Sequence, residues 1–313
     1  MLTDDAKSVV ALTTRLGARD RPSLTAQGWD RFITTLRDAG HTPASVFELK
    51  GSIADIPGVE EPDRIESLIA DASAATLEVD DLQSKGIWTL TVVDDAYPPH
   101  LIDNLGKDSP PVLFGVGEAS LLRNRGVGIV GSRNVDEAGR EVAESMAREA
   151  VRLGLPVISG GARGVDQLSM NAAYRAGGSV VGVLADSLLS RIRGSEMLTA
   201  LDSGTTCLVT QQVPSAGFSP GAAMSRNKII YGLSTATVVV ATDEGSGGTW
   251  AGATEALKKG ISTVLVWRGE GEGPGNAALI ARGGIAIEAP SDLGGQLTSS
   301  GAVPDQMSLL EGG

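Results

Sequence analysis

Four short segments of the chain combine glycine with hydroxyl, amide and cationic side chains. Such segments suit phosphate binding, because glycine lets an anion approach the backbone and leaves the amide groups free to donate. Serine and threonine add hydroxyl donors, and arginine can grip a phosphate with two parallel hydrogen bonds. The residues concerned are Gly131, Ser132 and Arg133; Ser159, Gly160, Gly161, Arg163, Gly164 and Asp166; Arg226, Asn227 and Lys228; and Gly247, Gly248 and Thr249.

The strands and helices that position these segments can be predicted from the residue pattern after position 126. Short valine-rich runs there alternate with helix-length segments, which is typical of a parallel sheet covered on both faces. We predict strands at 127–130, 156–158, 180–184, 207–209, 237–241, 263–267 and 285–287, and helices at 136–153, 165–176, 226–233 and 249–259. The predicted fold class is α/β, a Rossmann-like doubly wound, mostly parallel sheet with a small N-terminal helical domain.

The phosphate-binding segments are expected to meet at one edge of this sheet. Ligands of open parallel sheets bind beyond the carboxyl ends of the strands. Three of the four segments follow predicted strands, and the segment with Arg226 opens a predicted helix. A phosphate-rich ligand is therefore favoured. Asp166 either holds Arg163 and its loop in place at a helix start or contacts the ligand directly.

Composition along the chain predicts four parts. Residues 1–80 form a helical domain, in which Phe32, Ile33 and Leu36 recur at helical spacing. Residues 81–125 lead into the sheet, and residues 126–290 form the Rossmann-like domain. Residues 291–313 are rich in glycine and serine and lack periodicity, which predicts a flexible acidic tail.

Charge and composition exclude several classes of protein. The net charge of −12 argues against non-specific coating of nucleic acid, although residues 126–290 are nearly neutral, with 14 basic and 15 acidic groups. One cysteine and two histidines make cysteine or histidine metal sites very unfavourable. No apolar run approaches the roughly 18 residues of a membrane span. We predict a cytoplasmic protein with no cofactor, no metal and no membrane partner.

The motifs together resemble one known family. The runs 131–133, 159–166 and 226–234 follow each other as they do in the DNA-processing protein A family, also called DprA or Smf. The segments 95–101 and 110–114 resemble its lead-in, and the helical front resembles its sterile-alpha-motif-like domain. The resemblance covers residues 85–268 well and 24–80 loosely.

The resemblance implies a Rossmann fold that binds single-stranded DNA at the strand ends and acts in DNA processing, DNA uptake and recombination. It also implies a homodimer and the loading of a RecA-type recombinase onto the strand. In this sequence Arg133, Arg163 and Lys228 would contact phosphates, and Gly161 and Asn227 would shape the pocket.

The chain departs from the family pattern at several positions. Met170 stands where the family usually has histidine, and Lys228 keeps the charge of the usual arginine without its fork. The loop 246–250 also resembles the glycine-rich loops of lysine-decarboxylase-like nucleotide phosphoribohydrolases.

Two functions therefore remain open. The first is a non-enzymatic single-stranded DNA-binding protein. Trp250 is the aromatic side chain best placed to stack on bases, and the alternative is that it covers the edge of the sheet. The second is a nucleotide-binding sensor or an N-glycosidic nucleotide hydrolase of a regulatory or phage-defence system. In that case Glu255 or Asp243 would act as the catalytic acid.

Overall fold

Nine strands form one sheet in the computed structural model, which describes residues 2–17 and 22–299. The strands are β1 (Trp88–Thr91), β2 (Val112–Gly117), β3 (Gly126–Val130), β4 (Val157–Ser159), β5 (Val180–Val183), β6 (Thr206–Thr210), β7 (Ser234–Val239), β8 (Thr263–Trp267) and β9 (Ile285–Ile287).

Helices cover both faces of this sheet. The helices are α1 (Asp4–Thr13), α2 (Ala26–Asp38), α3 (Pro62–Ala70), α4 (Ala72–Ser84), α5 (Pro99–Leu105), α6 (Glu137–Arg152), α7 (Val165–Arg175), α8 (Leu188–Arg191), α9 (Ser195–Asp202), α10 (Pro220–Leu233), α11 (Gly247–Lys259), α12 (Asn276–Ala281) and α13 (Asp292–Ser299).

The order of the strands places a topological switch in the middle of the sheet. The order is β1-β2-β6-β5-β4-β3-β7-β8-β9, and β3 to β9 pair in parallel. The chain runs outward from β3 to β6 and then returns to β7, which lies beside β3. Loops leave the two central strands in opposite directions, and this opens a crevice at their carboxyl ends. The predicted α/β, Rossmann-like, mostly parallel sheet is confirmed.

The segment 81–125 contributes to the sheet itself. It holds β1 and β2, which pair with each other in antiparallel fashion, and β2 pairs in antiparallel fashion with β6. The side chains of β2 are buried through Val116, so this antiparallel extension belongs to the core.

Valine and isoleucine of the parallel strands form two apolar layers. Ile129 and Val238 face α6 and α7, whereas Val130 and Val239 face α10 and α11. Side chains of a strand alternate between the two faces, so a continuous apolar run fills both layers.

The N-terminal helices pack on one end of the sheet. Phe32, Ile33 and Leu36 of α2 are buried at the positions that the helical spacing predicts. They belong to one hydrophobic cluster with Phe114 of β2 and Leu208 of β6. The division of the chain at residues 80, 125 and 290 stays a prediction.

Three predicted boundaries are corrected by the structure. Helix α10 begins at Pro220 rather than at Arg226, because Ser219 caps it and accepts a hydrogen bond from the amide of Ala222. Strand β7 begins at Ser234, directly after α10, and ends two residues before the predicted end at 241.

The tail prediction is wrong for residues 292–299. These residues form α13, whose Leu293 and Leu297 are buried in the apolar layer that α6 covers. Two leucines four positions apart suffice to bury one side of a short helix. Residues 300–313 of the predicted tail lie outside the described residues.

No helix in residues 2–17 and 22–299 combines the length and the apolar character that crossing a bilayer requires.

Candidate functional site

A cleft of about 440 Å³ opens at the switch between β3 and β7. The loops after these two strands, the start of α7 and the middle of α10 line it. Nine of the predicted site residues meet here: Gly131, Ser132, Arg133, Asp166, Arg226, Asn227, Gly247, Gly248 and Thr249. We call this the first cleft.

A second cleft of about 270 Å³ lies beside it, at the carboxyl ends of β4 and β5. Of the predicted residues it contains Gly160, Gly161 and Arg163, and it shares Arg133 and Arg226 with the first cleft. The two clefts are therefore neighbours along one edge of the sheet. Ser159, Gly164 and Lys228 line neither of them.

The floor between the clefts is a buried ion pair. Arg226 is 7% exposed and its Nη1 lies 3.4 Å from Oδ2 of Asp166, which is 6% exposed. The guanidinium lies on Gly160, where a Cβ atom would overlap Nη1. Burial raises the pKa of the Asp166 carboxyl, while Arg226 and the amides of Ala162 and Gly160 oppose that rise. Asp166 thus anchors Arg226 rather than Arg163.

The arginines of the first two glycine-rich loops are exposed. Arg133 and Arg163 both belong to the cleft linings, and no carboxylate pairs with either of them among the described residues. Arg163 donates from Nη2 to Oδ1 of Asn134 at 2.6 Å. Because this partner is neutral, the positive charge of Arg163 stays available to an anion.

Lys228 differs from these arginines, because it is engaged in an ion-pair cluster. Its Nζ lies 3.1 Å from Oε1 of Glu255, which also pairs with Lys259 at 3.0 Å. Burial alone would raise the pKa of Glu255, but the two lysines lower it overall. Lys259 in turn pairs with Asp108 at 2.8 Å, and Gln27 of α2 donates to Asp108 at 2.6 Å.

Several predicted site residues hold the loops together. Ser159 is buried and donates to the carbonyl of Ile129 at 2.6 Å, which ties β4 to β3. Thr249 donates to the carbonyl of Gly131 at 3.0 Å. Gly164 has a φ of 89°, a left-handed conformation that favours glycine, and it caps α7.

Of the two alternatives for Trp250, the structure shows the one in which the ring covers the sheet rather than stacking on bases. Its side chain is 9% exposed and packs in the apolar layer of α10 and α11. The guanidinium carbon of Arg282 lies 5.3 Å from its ring centroid. Trp250, the fourth residue of α11, packs toward the sheet and offers no open ring for a base.

Two buried polar atoms of the first cleft lack hydrogen-bond partners among the described residues. They are Nε of Arg226 and Oη of Tyr231. Buried donors without partners are unfavourable by about 1–3 kcal/mol each. Both residues line the first cleft.

Asn276 is a positioning residue that sequence reasoning missed. It is fully buried; its Nδ2 donates to the carbonyls of Val240 and Trp267 at 2.9 and 2.8 Å. Its Oδ1 accepts from the amide of Thr242 at 3.1 Å. It thereby fixes the loop after β7 that lines the first cleft. Asparagine in a glycine-rich loop carries no sequence signal for such burial.

Phe218 and Arg191 were also missed, and both line the second cleft. The signal for Phe218 is an aromatic residue within a run of glycine, serine and proline, where a loop has no core to bury it. In the described part of the chain no cluster of three or more histidine, cysteine or acidic residues has a metal-binding arrangement.

Comparison with known proteins supplies independent information on the family. Residues 88–297 match the family model of DNA recombination-mediator protein A. The chain is 33% identical over 187 residues to DNA processing protein DprA of Bacillus subtilis, covering 59% of this chain and 62% of that protein. It is 29% identical over 205 residues to protein Smf of Escherichia coli, covering 63% of this chain and 53% of that protein. The chain thus spans less than two thirds of these relatives.

Solved structures show the same fold. DNA processing protein A of Streptococcus pneumoniae superposes with a TM-score of 0.69 at 21% identity, covering 94% of this chain and 98% of that one. DNA processing protein A of Helicobacter pylori superposes with a TM-score of 0.55 at 22% identity, covering 68% and 96%. The latter structure concerns the single-stranded DNA binding mode of that protein.

Proposed function

The chain belongs to the DNA recombination-mediator protein A family, and we propose that it binds single-stranded DNA through the two clefts at the carboxyl edge of its sheet. Membership makes it a DNA-processing protein of the DprA/Smf type. The single-stranded DNA binding of the Helicobacter pylori protein supports the choice of ligand.

One observation carries the proposal. Arg133 and Arg163 are exposed, lie in adjoining clefts and have no carboxylate partner among the described residues. Two free guanidinium groups beside open glycine-rich turns suit successive phosphates of one strand. Arg226 shapes the floor between them through its pair with Asp166. Lys228 lines neither cleft and is paired with Glu255, so it does not belong to this pair of free cations.

The wider role follows from the family resemblance rather than from this geometry. We propose that the protein acts in the cytoplasm as a homodimer and delivers single-stranded DNA to a RecA-type recombinase. DNA uptake and recombination are the processes in which such delivery is useful. The proposed activity is binding and delivery, without a catalysed reaction.

A nucleotide ligand is the second candidate, and the position of one carboxylate favours it. Asp243 is exposed and lines the first cleft, where it could act on a bound nucleotide as a general acid. Glu255 is less suited to that role, because it lines neither cleft and pairs with two lysines. An N-glycosidic hydrolase would therefore use Asp243.

Titration of the full chain with labelled oligo-dT in rising salt tests the proposal, with mononucleotides in parallel. The logarithm of affinity should fall with the logarithm of salt by about 0.7 per contacted phosphate. Arg133→Ala and Arg163→Ala should each weaken binding by about tenfold or more, because each removes charged hydrogen bonds.

The matched control is Arg148→Ala. Arg148 is exposed on α6 and pairs with Glu141 and Glu144, so its loss should leave affinity unchanged. Tight binding of a mononucleotide with release of free base, and no binding of oligo-dT, would instead establish the nucleotide hydrolase.

A further inference from the structure

The second cleft combines an exposed aromatic ring with several cations. Phe218 lies in the loop between β6 and α10 and is 58% exposed. Arg163 and Arg191 line the same cleft. The small residues Gly160, Gly161 and Ala162 of the turn after β4 also line this cleft.

The exposure of Phe218 distinguishes it from the other large apolar side chains. Exposed large hydrophobic residues occur elsewhere in the described chain, for example Leu77 and Leu198, yet Phe218 is the one that lines either cleft. A phenyl ring exposed to water lacks the stabilisation that burial of its apolar surface would give. A ligand that covers the ring would recover part of this energy.

The charges of the second cleft identify the ligand class. Its lining holds four arginines and one acidic residue. That residue, Asp186, grips Arg191 through Nε at 3.1 Å and Nη2 at 2.7 Å, which fixes Arg191 at the wall. Cations beside an aromatic face form the arrangement in which single-stranded nucleic acid is bound by stacking and by phosphate contacts.

The position of the second cleft makes it continuous with the first. Arg133, Ala162 and Arg226 belong to both linings. A strand that occupies the first cleft and passes Arg133 therefore enters the second cleft next. Because Trp250 and Tyr231 are buried, Phe218 is the exposed aromatic side chain in the linings of the two clefts.

We infer that Phe218 is a stacking platform for one nucleobase of a DNA strand that runs from the first cleft into the second. Arg163 and Arg191 contact the phosphates that flank this base. The inference rests on the proposed function and adds a second subsite to it. Every base has an aromatic face, so this subsite accepts any sequence.

Oligo-dT binding by the full-length Phe218→Ala variant tests the inference. Affinity should fall by about tenfold, since a stacked base contributes that much or more. The salt dependence should keep its slope, because no phosphate contact is lost. Phe218→Trp should retain affinity, and Leu198→Ala, which removes an exposed apolar side chain away from both clefts, should change nothing.

Modified oligonucleotides distinguish a loss of base stacking in Phe218→Ala from a loss of its folded structure. An oligonucleotide with 2-aminopurine at successive positions should be quenched at one position by the native chain and not by Phe218→Ala. An oligonucleotide of abasic sites should bind the native chain and Phe218→Ala with equal affinity. Unchanged oligo-dT binding by Phe218→Ala, or an equal loss on abasic DNA, overturns the inference alone. Failure of the native chain to bind oligo-dT overturns the proposed function as well.

Discussion

Nη1 of Arg226 lies 3.4 Å from Oδ2 of Asp166, and the two residues are sixty positions apart in the chain. The pair joins the middle of α10 to the first turn of α7 beneath the wall between the two clefts. An arginine that would suit a surface phosphate contact is thereby turned into part of the floor. The exposed cations Arg133 and Arg163 line the clefts that border this ion pair.

Removal of the Asp166 carboxylate should destabilise the protein strongly. Asp166→Ala leaves the Arg226 guanidinium buried without a counter-charge, which costs about 3–5 kcal/mol in comparable pairs. Urea unfolding measures this loss. The double variant Asp166→Leu with Arg226→Met should recover much of the stability, because no charge then remains buried. If the unfolding free energy of Asp166→Ala lies within about 1 kcal/mol of the native value, the ion pair does not contribute strongly to stability.

A methyl group at position 160 should displace Arg226. In Gly160→Ala the new Cβ would overlap Nη1 of Arg226 and approach Oδ2 of Asp166 to 2.7 Å. The guanidinium must then leave its place, which should lower both thermal stability and oligo-dT affinity. Gly194→Ala is the matched control, since a Cβ there meets nothing within 4 Å. Equal behaviour of the two variants would show that Arg226 can move freely.

Neutralising Glu255 should strengthen DNA binding. Glu255 holds Lys228 at 3.1 Å, and Glu255→Gln would release this charge toward a bound strand. Affinity for oligo-dT should rise about two- to fivefold, the equivalent of one partly exposed ion pair. The salt slope should steepen at the same time. Unchanged or lower affinity in this variant would show that Glu255 does not restrain Lys228 from contacting the strand.

Acidification should destabilise the fold through His100. Burial, assisted by Arg125, lowers the pKa of His100 from 6.5 to about 4. Between these values the unfolded chain binds the proton that the native chain refuses, so this contribution to stability is lost as pH falls from 6.5 toward 4. The loss amounts to at most about 3 kcal/mol. His100→Leu should show a shallower decline in unfolding free energy across this range; an identical decline would exclude His100 as its source.

Local signals in the chain predicted the parallel sheet well. Strand β8 lies at the predicted residues 263–267 and β9 at 285–287. The first strand of the parallel part differs by one residue. These elements follow from apolar runs and from glycine after strand ends, which are properties of neighbouring residues.

The start of α10, predicted at Arg226 but observed at Pro220, shows where these local signals fail. Residues 219–225 are small residues, a proline and one methionine without helical apolar spacing, yet the cap at Ser219 and the proline after it start α10 there. The glycine-rich tail shows the same limit, because Leu293 and Leu297 make 292–299 helical only by packing on the sheet.

The candidate site divides in the same way. The glycine-rich turns and their arginines could be found from residue types that suit phosphate, and the sheet brings these turns to one edge. The sequence alone could not show which of these cations lack an acidic partner, because such partners lie far away in the chain. Arg133 and Arg163 have no acidic neighbour among the described residues, whereas Arg226 meets Asp166 and Lys228 meets Glu255.

The sequence by itself determined the class of fold and the edge of the sheet at which the glycine-rich turns and their arginines meet, because periodicity and residue type act over a few neighbouring positions. Only the tertiary structure decided that Trp250 is buried, that Phe218 is exposed beside the arginines and that Arg226 forms the floor. Burial and ion pairing depend on distances between remote residues, and those distances arise when the helices pack on the sheet.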